Sequence, residues 1–130
     1  MSNVPKREDI PIEQTWDHTS VFPSFEAWQD EYEAVGKTLS EIEAYKGTLS
    51  QSPQQLFAWF EFNSALTRRI FTVYMYPVMW MECDGNNEAI KGMVGQAQGL
   101  VGKAMAIMSC SEPELLAMDR DTLQKWVAEE

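Results

Sequence analysis

An all-α protein is expected from three features of this sequence. Apolar residues recur at three-and-four spacing in long runs. The runs are separated by capping and turn residues, at Ser24, at Ser52-Pro53 and at Asp84-Gly85-Asn86-Asn87. The chain also has 130 residues, 45% apolar and 12% aromatic, which suits one compact core and not two.

Residues 1 to 23 hold Pro5, Pro11 and Pro23 among polar residues without a helical period, so they read as an extended arm anchored by Trp16. Residues 24–130 read as a single helical domain. From the cap Ser24, the residues Phe25, Trp28, Tyr32, Val35, Leu39, Ile42 and Tyr45 mark one face of a helix over about 24–46, with Gly47 as its stop. Ser52 as cap and Pro53 at the first helical position open a second helix, to about residue 82. Its buried stripe is Leu56, Trp59, Phe60, Leu66, Ile70, Tyr74 and Met81. Pro77 is expected to kink it near Val73, because the ring meets the carbonyl four residues back.

The second half of that helix is apolar all round. Phe71, Met75, Tyr76, Met79 and Trp80 carry apolar character onto the side where a solvated helix places charge, and they are the expected interdomain or dimer interface. A third helix follows over about 87–109 through Ile90, Val94, Ala97, Val101, Ala104 and Met108. Gly92, Gly95, Gly99 and Gly102 form a bare stripe on it. Four interior glycines give up roughly 2–4 kcal/mol of helix propensity relative to alanine, so close packing of a neighbouring helix is expected there. A groove for an apolar ligand is the alternative. Short helices starting near Ser111 and Asp119 complete the chain, which ends inside a helix without a cap, as a truncated product would.

Twenty acidic residues against ten Lys and Arg give a net charge of -10, which disfavours nucleic acid and anionic membrane surfaces as partners. The longest uncharged apolar stretch, Ile70 to Met81, is well short of the roughly 20 residues of a membrane span. With a polar start and no secretory signal, the default expectation is a cytoplasmic protein. Cys83 and Cys110 lie at opposite ends of the third helix, too far apart for a disulfide, and read as free thiols.

His18 is the only histidine, so these residues cannot supply a His-Glu-x-x-His zinc helix, a histidine-based triad or the paired Glu-x-x-His ligands of a di-iron bundle. Acid pairs such as Glu26 and Asp30 are what a charged helix face contains without any chemistry. No catalytic residue, metal ligand or cofactor is therefore expected within this chain.

Arg7 with Ile10-Pro11, Thr15-Trp16-Asp17, Phe22-x-Ser24 with Trp28, Tyr45-Lys46-Gly47-x-Leu49, Ser52, the stretch from Leu66-x-Arg68 to Tyr74, and Pro113-Glu114-Leu115-Leu116 leading to Leu123 and Trp126 together resemble the N-terminal domain of the oligoendopeptidase F group, among the thimet-oligopeptidase-like zinc metallopeptidases. His18, Pro77 and the glycine stripe depart from the family's usual pattern. The resemblance implies a helical lobe beside a deep cleft that restricts substrates to short peptides. It also implies that zinc and its ligands belong to a catalytic domain absent from this chain, and that this domain would cover the apolar face of the second helix. Two functions are thus expected: the lobe of a zinc oligoendopeptidase, inactive alone, or a free-standing helical interaction module that forms a homodimer through the same face.

Overall fold

The computed structural model describes residues 4–129. Five α-helices follow the arm: α1 (Phe25–Thr38), α2 (Pro53–Cys83), α3 (Glu88–Met108), α4 (Ser111–Leu116) and α5 (Arg120–Ala128). No strand occurs among the described residues. Side-chain caps stand where the sequence places them. Ser24 and Ser52 accept from the backbone N–H three residues on, Asn87 accepts from Ala89 and Ile90, and Asp119 accepts from Thr122.

The α2–α3 hairpin and α1 enclose one apolar core. Trp28, Val35, Leu39, Ile42, Leu49, Trp59, Leu66, Val73, Tyr76 and Ala97 are among its buried members. No charged or polar residue is buried with them among the described residues.

Two expected elements differ. The first helix stops at Thr38, and residues Leu39–Tyr45 tighten into a 3-10 helix. The Thr38 hydroxyl bonds back to the Ala34 carbonyl at 2.9 Å, and it also receives an Arg69 N–H at 3.4 Å. In a 3-10 helix residues three apart eclipse one another, so Leu39, Ile42 and Tyr45 fall in one line facing the core. The arm is likewise not simply extended. It contains three one-turn 3-10 segments, at Arg7–Asp9, Ile12–Gln14 and His18–Ser20, the last capped by Asp17.

Helix α2 runs unbroken through Pro77. Proline has no N–H for the carbonyl of Val73, and that carbonyl accepts instead from the Trp28 indole at 2.8 Å. A bond from α1 thus replaces the one that proline removes, at a residue that is fully buried.

Candidate functional site

The arm folds back on the C-terminal half of α2 and builds an aromatic cluster there. Phe22 and Phe25 meet Tyr76 edge-on at 5.1 and 6.2 Å, and Trp16 meets Tyr76 and Trp80 at 6.2 and 5.7 Å. His18 stands 4.6 Å from the Trp80 ring. These edge-to-face contacts add to the area they bury.

Arg7 locks the arm in place. Its guanidinium donates to the Trp16 carbonyl at 2.7 Å and lies 5.6 and 5.1 Å from the centres of the Trp16 and Trp80 rings. The Trp16 indole N–H donates to the Cys83 sulfur at 3.4 Å. Arg7 and Trp16, which carry the sequence resemblance, are therefore the two ends of one clasp. Cys83 and Cys110 are both free thiols.

This clasp corrects the expected interface. Tyr76 is 2% exposed and belongs to the core, and Trp80 is half-buried beneath the arm. The α2 periodicity leaves them bare because it carries no information on where the arm packs. Phe71 remains 62% exposed and Met79 37%, with Met75 half-buried between them. Phe57 and Phe60, at 62% and 46%, extend the exposed apolar surface toward the start of α2. Phe60 was expected on the buried stripe, and Phe57 was not singled out.

The glycine stripe is also corrected. A Cβ placed at Gly92, Gly95, Gly99 or Gly102 would meet nothing within 4 Å, so no helix of this chain approaches them. Ile90, Val94, Ala97, Leu100 and Ala104 are what α3 buries, and the glycines sit on its opposite, exposed side.

Two polar links escaped sequence reasoning. The Glu114 carboxylate accepts from the backbone N–H of Gly47 at 2.9 Å and of Leu49 at 2.6 Å, so α4 pins the turn after the 3-10 helix. Gly47 sits there with φ of 72°, a conformation in which a side chain is strained. The second link is a bidentate pair between α2 and α1, with Arg69 donating to the two oxygens of Glu31 at 2.6 and 3.2 Å. Its hydrogen bond to Glu31 holds the Arg69 pKa above its ordinary value.

Among the described residues no three His, Cys, Asp or Glu side chains gather in a way that could hold a metal ion. The described residues thus offer no ligand set that fits zinc. No described helix is long and apolar enough to cross a membrane.

No protein-family model matches the chain. It is 29% identical over 128 residues to oligopeptidase PepF of Bacillus subtilis, a match that covers 98% of this chain and 19% of that protein. Group B oligopeptidase PepB of Streptococcus agalactiae is 28% identical over 123 residues, covering 95% of this chain and 20% of PepB. The crystal structure of oligoendopeptidase-F from Enterococcus faecium superposes with a TM-score of 0.74 at 26% identity, over 82% of this chain and 21% of that one. The chain thus spans about a fifth of the length of the relatives it matches. In sequence and in fold, this chain is a homologue of oligoendopeptidase F proteins, consistent with an N-terminal domain of that family.

Proposed function

We propose that this chain is the helical N-terminal lobe of an oligoendopeptidase, which forms part of the cleft wall and helps restrict substrates to short peptides. The observation that carries this reading is the pattern of coverage. Nearly the whole chain aligns with about a fifth of proteins named as oligopeptidases, and a crystal structure of one contains the same helical arrangement. The residues behind the sequence resemblance also form the clasps of the fold, Arg7 with Trp16 in the arm and Gly47 and Leu49 with Glu114. Any zinc-dependent step belongs to residues outside this chain, which by itself hydrolyses nothing.

The test is the form of the native protein in its source cells. An antibody against this chain should capture a polypeptide several times larger, with chelator-sensitive hydrolysis of short peptides. Capture of a polypeptide of this size alone, without that activity, would overturn the reading.

A second reading is a self-associating helical module in the cytoplasm. Exposure of Phe57, Phe60 and Phe71 along α2 favours it. The interface would then run along the outer side of α2, without Tyr76 and Trp80, which the arm covers.

A further inference from the structure

We propose that Arg7 and the cavity beside it form a binding site for a carboxylate, carried by a small molecule or by a peptide end. The cavity, of about 590 Å³, opens between the arm and the turn joining α2 to α3, with Lys6, Arg7, Phe25, Trp80 and Asp84 on its walls. The inference rests on this chain alone and is independent of any peptidase activity.

A guanidinium carries five N–H donors. Arg7 uses one on the Trp16 carbonyl at 2.7 Å and directs another toward the Cys83 sulfur at a long 4.0 Å. The rest have no acceptor among the described residues, and no described carboxylate pairs with Arg7. In a chain with twice as many acids as bases, a half-buried arginine without an acid partner is unusual.

The group is also held in advance. Contacts with two indole rings and one carbonyl fix the guanidinium plane, so little freedom is lost when a planar ligand arrives. Trp80 contributes its ring to the same wall. The spare donors at this corner are those of the Arg7 guanidinium, and what they lack is an acceptor.

An ionised carboxylate is acceptor-only, planar and matched to the arginine fork. Two acids on the cavity wall favour a monoanion over a dianion such as phosphate. Both acids already have partners: Glu8 lies 3.7 Å from Lys6, and Asp84 accepts the Asn86 N–H at 3.1 Å. Phe25 and Trp80 offer apolar surface for whatever carries the carboxylate.

The experiment uses the full ¹⁵N-labelled chain and follows the Arg7 Nε–H and Trp80 Nε1–H resonances. The probes are acetate, inorganic phosphate, N-acetyl-trialanine, and the same peptide as its C-terminal amide. Acetate and the free acid should shift the Arg7 resonance saturably, while the amide should not and phosphate should bind more weakly. A free acid tighter than acetate identifies a peptide end as the preferred carrier, and equal affinities identify small carboxylates. Arg7→Lys keeps the charge without the fork, and should weaken binding about tenfold. Glu8→Gln alters an exposed residue that takes no part in the clasp, and should tighten binding about twofold by removing a negative wall. No saturable shift with acetate or the free acid, or equal shifts with acid and amide, would overturn the proposal, as would Glu8→Gln weakening the site.

Discussion

Trp28 does two jobs that no local pattern reveals. Its ring fills the core, and its indole N–H satisfies the Val73 carbonyl that Pro77 leaves open. Trp28→Phe keeps most of the ring but orphans that carbonyl, so it should cost about 1–3 kcal/mol in urea unfolding. In a Pro77→Ala background, where a backbone N–H is available again, the same change should cost less than half as much. Equal costs in the two backgrounds would show that the bond to Val73 is not what matters. Glu114 is a comparable case, since it caps two backbone N–H groups some 65 residues away in sequence. Glu114→Ala should destabilise by about 1–3 kcal/mol, and Glu114→Gln, which keeps one acceptor oxygen, by clearly less. The sequence contained both partners of this link as separate motifs, but spacing along a chain cannot say which distant segments meet. Asp17 adds a pH dependence. The Thr19 hydroxyl bonds its carboxylate at 2.6 Å and, with help from the Thr19 N–H, holds its pKa below the ordinary 3.8. A lowered pKa stabilises the folded arm above the ordinary value, and that contribution disappears as the pH falls through the lowered one. Tryptophan fluorescence should therefore report loosening of the arm below about pH 4, and Asp17→Asn should flatten that transition.

Helix positions were legible because caps and periodicity agreed, and the departures have physical causes. The spacing of α1 runs in threes and fours until Leu39, Ile42 and Tyr45, where it becomes three and three, and that is where the 3-10 helix begins. On α3 Ile90, Val94, Ala97 and Ala104 are buried as expected, while Val101 and Met108 are half-buried and Leu100, outside the expected stripe, is buried; a helical wheel puts the glycines about half a turn from these buried residues. What failed was the inference that low propensity must be offset by a neighbour within the same chain. In this chain the glycines face open space, so alanine can be added without a clash. Each of Gly92→Ala, Gly95→Ala, Gly99→Ala and Gly102→Ala should raise stability by about 0.5–1 kcal/mol, with nearly additive effects, measured by urea unfolding. A loss of stability in the isolated chain would show instead that something lies against this side of α3.

The arrangement of the whole molecule separates two kinds of apolar surface that looked alike in the sequence. Around Tyr76 and Trp80 the chain covers itself with its own arm, and the candidate site was therefore only partly legible: the aromatics were found, but Arg7 and His18, the partners of Trp80, lie more than 60 residues before it. Along the outer side of α2, Phe57, Phe60 and Phe71 stay exposed, with Met75 half-buried beside them. These positions span about 27 Å of helix at ~1.5 Å per residue, long enough to contribute a row of side chains to an interface of roughly 800 Å² per partner. The isolated chain should therefore associate reversibly at high concentration, as read by sedimentation velocity over a dilution series. Each copy carries a charge of -10, so like-charge repulsion opposes the encounter, and association should strengthen as salt screens it. A Phe60→Lys, Phe71→Lys double variant should remain monomeric at every concentration with an unchanged helical circular dichroism spectrum, because both side chains project from the core. If the unaltered chain is monomeric throughout and binds no exposed-hydrophobe dye, the outer side of α2 does not join copies of this chain. If it associates and the double variant does not, the apolar row is a docking surface in its own right.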